Sequence, residues 1–204
     1  MRDLPAGFVA ALQAAPEQGI APVWFVTIEA TDRDTGETVA FSFWTGSYDL
    51  PISVPRPDGS IVARTHIGGC GLAVGDITFA ADLTDNAFTI GLSQIADASQ
   101  ALFRGHNYKG VPVEVHLGLR SGGGMASMPV LMVAGILDEA PLGTPPVGGE
   151  GSITLSIRSE IMTMLQQINP AKSSDQHQKR RASGDRFAEY ASIIPSRELK
   201  FYEK

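Results

Sequence analysis

Cysteine is almost missing from the chain: Cys70 is the single one in 204 residues. No disulfide can therefore form within one chain, and no Cys-based zinc or iron–sulfur cluster can be assembled from it. Cys70 has no histidine close in sequence to activate it, and free cysteine is readily buried, so it reads as a small core residue. The four histidines, His66, His106, His116 and His177, never pair at metal-ligand spacing within one element. A GxSxG elbow is absent, and the glycines around Cys70 in IGGCGLAVGDITF are not followed by GK[ST], so neither an α/β-hydrolase nucleophile nor a phosphate loop is indicated. Asp138 and Glu139 are neighbours on an expected strand and point to opposite faces. These gaps predict a protein that is not an enzyme and takes no cofactor or metal. No stretch approaches the ~20 apolar residues of a membrane-spanning helix. MRDLPAGFVAALQAAPEQG carries Asp3 and Pro5 and no basic leader, which predicts no secretory signal and synthesis in the cytosol.

Aromatic residues (7%) and charged residues (19%) are also sparse, whereas glycine (22) and proline (13) are plentiful beside 43% hydrophobic content. That balance predicts a mainly β body of short strands and many turns. Residues 4–15 are expected to form a short helix, Pro5 in its first turn and Phe8, Val9 and Leu12 on one face. VWFVTIE (Val23–Glu29) and TVAFSFW (Thr38–Trp44), joined by DRDTGE, predict a hairpin. WTGSYDLPI leaves it through a turn at Gly46, and PRPDGS (Pro55–Ser60) is a turn between extended pieces. LAVGDITF and AFTIGLS (Ala87–Ser93) read as strands, and QIADASQALFRG as a helix carrying Ile95, Leu102 and Phe103 inward. In VPVEVHLGL, Val113, Val115 and Leu117 alternate with Glu114 and His116, which predicts a sheet that is wet on one face. His116 is then a solvated strand residue. PVLMVAGILDEA is apolar enough to require cover on both faces or from a neighbouring subunit. GSITLSIR alternates Ile153, Leu155 and Ile157 against Thr154, Ser156 and Arg158, and leads into a helix starting near Ser159.

Charge divides the chain. Eight of the 16 Lys and Arg residues, against five acidic ones, lie in residues 172–204, so that segment is +3 and residues 1–171 carry −9 of the total −6. Three domains follow: a short helix in 1–19, a β-rich body in 20–168, and a basic arm in 169–204. Within the arm, Gly184 and Asp185 are expected to cap a helix with Phe187 and Tyr190 on one face. KRRASGDR permits three readings: a solvated strip, a docking strip for an acidic protein, or a nucleic-acid contact.

The arm SSDQHQKRRASGDRFAEYA resembles the C-terminal signature of tail-tip (baseplate) hub proteins of long, non-contractile bacteriophage tails and of gene transfer agents. Asp175, Gln178, Arg180, Arg181, Gly184, Asp185, Phe187 and Tyr190 fall on its marked positions. Ser173, His177, Ala182 and Ser183 depart from it. FWTGSYDL, FTIGLSQI, YKGVPVEVHLG, PVLMVAGILDEA and GSITLSIRSEI resemble the family's upstream motifs in the same order. The resemblance implies a tail-tube-like β-barrel or sandwich, and a structural virion protein of the tail tip. Copies would form a ring, trimeric or hexameric, around the DNA channel. Its neighbours would be the distal tail or tube protein and a central fibre or spike, with DNA in passage but not specifically bound. The eight arm residues would dock on a neighbour, and Asp82, Asp85, Asp97 and Glu114 would face the channel, where negative charge keeps phosphates from sticking. The alternative is a host-surface module that recognises a carbohydrate or receptor through loops such as SGGGMASMP.

Overall fold

The computed structural model describes residues 4–79, 86–121, 123–141, 143, 151–159 and 174–190. The chain falls into two compact units, Met1–Met164 and Leu165–Lys204. The larger unit is mainly β, built on a curled half-barrel sheet.

Its first element is α1 (Ala6–Gln18), followed by the paired strands β1 (Ala21–Asp32) and β2 (Thr38–Trp44). The β-branched and aromatic runs form this hairpin as expected, and the turn is fixed by Asp32, whose Oδ1 accepts from the amides of Asp34 (2.8 Å) and Thr35 (2.9 Å). Those backbone bonds hold the Asp32 carboxyl below its ordinary range. A second hairpin, β3 (Leu50–Pro55) and β4 (Ile61–His66), turns at Asp58–Ser60, where Gly59 takes a φ of +84° that side chains disfavour. There follow β5 (Ala73–Val74), β6 (Phe88–Ser93), α2 (Asp97–Gly105), β7 (His106–Asn107), β8 (Pro112–Ser121), β9 (Gly124–Met125), β10 (Val130–Glu139) and β11 (Ser152–Ser159). Among the described residues the main sheet has 9 strands, in the antiparallel order β2-β1-β8-β10-β11-β6-β5, with β7 beside β1 and β9 beside β8.

Register decides which side chains share a face. Val26 and Ile28 stand opposite Val115 and Val113, so even positions of β1 and odd positions of β8 build one face. That inner face continues through Leu137 and through Ile153, Leu155 and Ile157 to Phe88, Ile90 and Leu92, and is filled by Leu102 and Phe103 of α2. The alternation of β11 is thus realised. Cys70 and Leu72 join the same core, and burial raises the Cys70 thiol above its ordinary range. Helix α1 packs against Leu119 and Val130.

Several expectations are corrected. The buried face of α1 uses Phe8 and Ala11, while Leu12 is 41% exposed, and the helix continues through Pro16 to Gln18. Ile95 precedes α2 and is 74% exposed. Of LAVGDITF only Ala73–Val74 pairs as strand. Most consequentially, β8 is covered on both faces: Glu114 is 4% and His116 0% exposed. The β3–β4 hairpin lies over the outer face of β1 and β8, so Leu50 and Ile52 pack with Val23, Phe25 and Trp44. The helix expected after Ser159 lies outside the described residues.

Trp44 explains the short FWTG stretch. Its ring stacks on Phe25 (centroids 5.8 Å apart, planes within 8°) and its indole Nε1 donates to the Tyr48 carbonyl at 2.5 Å. The ring folds across Gly46, where a Cβ would fall 2.1 Å from its atoms, so only glycine fits.

Candidate functional site

Polar chemistry concentrates where the hairpin meets the sheet. Thr27 stands opposite Glu114 in register, and Glu29 follows on the same face of β1. The hairpin delivers the cations. Asp58 Oδ1 accepts from the Ser60 amide (2.9 Å) and hydroxyl (2.6 Å), and Arg56 N donates to Ser60 O at 2.8 Å, which fixes the turn and aims Arg56 back at the sheet. Hydrogen bonds from Ser60 hold the Asp58 carboxyl below its ordinary range.

Arg64 spans both carboxylates, Nη2 to Glu29 Oε1 and Nη1 to Glu114 Oε2, each at 2.7 Å. Arg56 does the same more loosely, Nη2 to Glu29 Oε1 at 2.8 Å and Nε to Glu114 Oε1 at 3.3 Å. The side chains of Arg64 and Glu114 are only 9% and 6% exposed, whereas Arg56 is 34% exposed. Two positive and two negative charges cancel within one cluster. The Glu29 carboxylate, then burial and Glu114, act on the Arg56 guanidinium, with the result that its pKa is raised. Planar guanidinium forks suit such bridging, which ammonium groups do not reproduce.

Two histidines complete the layer. His116 Nε2 donates to the Pro55 carbonyl at 2.7 Å, which leaves Nδ1 unprotonated and without a partner. His66, facing inward from β4, has no partner at either ring nitrogen and meets Phe25 edge-on at 5.0 Å. Beside the network a cleft of about 260 Å³ opens between Arg56–Asp58 and the strand segments 112–114 and 134–136. Its one guanidinium, Arg56, is already held by Glu29 and Glu114. Chemically, the arrangement is a clamp.

No family model matches the chain, and no curated protein matches it.

The residues singled out in the sequence meet different surroundings. Glu114 is spent in the clamp and is not free to face a channel, because the hairpin covers it. Asp97 is exposed in the first turn of α2. Asp82 and Asp85 lie outside the described residues. In the smaller unit, α3 (Asp175–Arg181) precedes Gly184; after it, residues 187–190 form a turn, and those beyond 190 lie outside the described residues. Ser174 caps it, its Oγ accepting from His177 N at 3.3 Å, and Asp175 pairs with Lys179 at 2.8 Å. Gly184 and Asp185 therefore lie beyond the end of a helix. Asp185 Oδ1 accepts from Phe187 N at 2.9 Å and forms a local turn. Phe187 and Tyr190 are 91% and 65% exposed, so the expected buried face is not formed among the described residues. Gln178 lies half-buried in α3, and Arg180 and Arg181 are exposed on its last turn, without an ion pair among the described residues. Around β8, the described residues bring no three His, Cys, Asp or Glu side chains together as a metal would need, and no described helix is long and apolar enough to cross a membrane.

Sequence reasoning missed Glu29, Arg56, Arg64 and His66. A signal existed: in IVARTH, Val62, Arg64 and His66 share one face, opposite Val54, Ile52 and Leu50. A hairpin face that mixes arginine and histidine with apolar residues needs carboxylates across from it.

Proposed function

We propose that this chain is a structural component of a phage-like tail tip, where copies form a ring around the DNA channel. The observation that carries the reading is the curled, mainly β half-barrel whose β2 edge has no strand beside Thr38–Phe41 among the described residues. An open edge on a curved sheet calls for a neighbour. The resemblance of the arm and of five upstream motifs supplies the family, and the −9 carried by residues 1–171 suits a passage for DNA. In this reading the arm, with Arg180 and Arg181 exposed, docks on the next subunit or on a central fibre or spike protein, and the ring is threefold or sixfold.

Imaging the assembled particle tests it: density for this chain as a ring at the tail tip is the expected result. Its absence there, or specific glycan binding by the isolated chain, overturns the reading in favour of a host-surface module. Arg180→Ala combined with Arg181→Ala should abolish or strongly reduce incorporation into tips, scored by counting complete tips. Normal tips from that variant would remove the docking role of the arm.

A further inference from the structure

The β3–β4 hairpin is joined to the sheet through a layer that excludes water and holds two imidazoles. His66 comes from the hairpin and His116 from the sheet, in register with Phe25, and both are 0% exposed. The charged groups nearest them on the surrounding elements belong to the clamp: Arg64 on β4, Arg56 just beyond β3, Glu29 on β1 and Glu114 on β8, while Asp32 on β1, Arg120 on β8 and Asp138 and Glu139 on β10 lie farther along their strands. The strand neighbours Ser42 and Trp44 on β2, and Leu131 on β10 opposite His116, bring no charge. With both rings neutral the clamp sums to zero. Protonating His116 adds a donor at Nδ1 that nothing accepts, and protonating His66 leaves two donors without acceptors. Each step also places a positive charge beside the Arg64 guanidinium, offset in part at His116 by the Glu114 carboxylate and outweighed there by burial. Buried, unmatched donors are relieved by water, and the ring nitrogens of His66 and Nδ1 of His116, closed to solvent here, reach it when the hairpin moves.

We propose that the β3–β4 hairpin is an acid-released flap: proton uptake by His66 and His116 lifts it from the sheet and bares the Phe25–Trp44 surface while the inner-face core stays folded. The separation is built into the packing, because the hairpin's apolar contacts form a cluster of their own with Val23, Phe25, Trp44 and Met125, apart from the main core. Burial first, then His116 and Arg64, hold His66 down at about 4 instead of 6.5. Burial lowers His116 as well. Folded-state values below the unfolded one mean that the closed hairpin is favoured above 6.5 and loses that advantage as pH falls toward 4.

The test uses the full chain carrying Trp24→Phe, which leaves Trp44 as the one tryptophan. Between pH 6.5 and about 4, Trp44 emission should shift to the red and become accessible to acrylamide while far-UV circular dichroism is retained. Adding His66→Phe and His116→Gln should remove that transition, since glutamine still donates to Pro55. Trp44 exposure that coincides with loss of the far-UV signal, or an unchanged transition in the double variant, overturns the proposal. Hydrogen exchange on the wild-type chain decides the matter if the double variant fails to fold. Faster exchange in acid, confined to residues 50–67 and corrected for intrinsic rates, supports the flap, and uniform opening overturns it.

Discussion

A carboxylate taken out of water must be met by opposite charge in the same place, and Glu114 is met twice. Arg64 and Arg56 make the same two contacts with very different exposure, 9% against 34%. Their substitutions should therefore differ. Arg64→Met leaves Glu114 buried against a half-free partner and should cost about 3–5 kcal/mol, the usual penalty for breaking a buried pair. Arg56→Met removes a partly solvated partner and should cost about 1 kcal/mol or less. Urea denaturation of the two variants measures the order, and an equal loss would show that the clamp is not divided in this way. At Gly46 the constraint is steric: a methyl would enter the Trp44 ring, which is 0% exposed and has nowhere to go. Gly46→Ala should cost about 1–3 kcal/mol as an overpacked site, read as a lowered melting temperature. Replacing the exposed Gly36, whose Cβ would meet nothing within 4 Å, is not its control, because φ there is +74° and strain would enter. Gly105, equally open and without positive φ, is the better comparison.

Elements were legible where periodicity and turn chemistry agree. β1 and β2 announce themselves by β-branched and aromatic runs around an Asp/Gly turn, and β11 by its clean alternation. Alternation reports which residues share a face but not what covers that face. Glu114 and His116 alternate with valines as they would on a wet sheet, yet their cover is a hairpin formed by residues 50–66, far away in sequence. The clamp was invisible for the same reason, since its carboxylates and guanidiniums come from three separate segments, β1, the β3–β4 hairpin and β8. In the arm, Ser174 caps α3 upstream of Gly184–Asp185, a helix that the sequence did not announce, and the residues after Tyr190 lie outside the described ones. The hairpin also contributes to the pH dependence of the larger unit through His66. Charging His66 in the folded chain costs about 3 kcal/mol, from a value near 4 against 6.5 unfolded. Stability should accordingly fall by up to about 1.4 kcal/mol per pH unit across that interval. His66→Phe should flatten this part of the profile, measured by urea midpoints at each pH. A profile as steep as the wild type would assign the slope to other groups.

For the whole molecule, the decisive question is whether the half-barrel is completed by a neighbour at β2. Trp44 N donates to Ile67 O at 3.1 Å and Ile67 N to Ser42 O at 2.8 Å, on the side of β2 away from β1. Strand alternation then directs the amides and carbonyls of Ala40 and Thr38 to that same side, where no described strand receives them, and both residues are exposed. Proline at position 40 would delete the outward amide and spare the ladder to β1, whose bonds come from the odd positions. If ring formation pairs this edge with the next copy, Ala40→Pro should leave the isolated chain folded, with its circular dichroism and melting temperature nearly unchanged. It should also block incorporation into tail tips and any self-association seen by light scattering. A folded variant that assembles normally would move the ring contact away from β2, and the half-barrel would then have to be closed by a different surface.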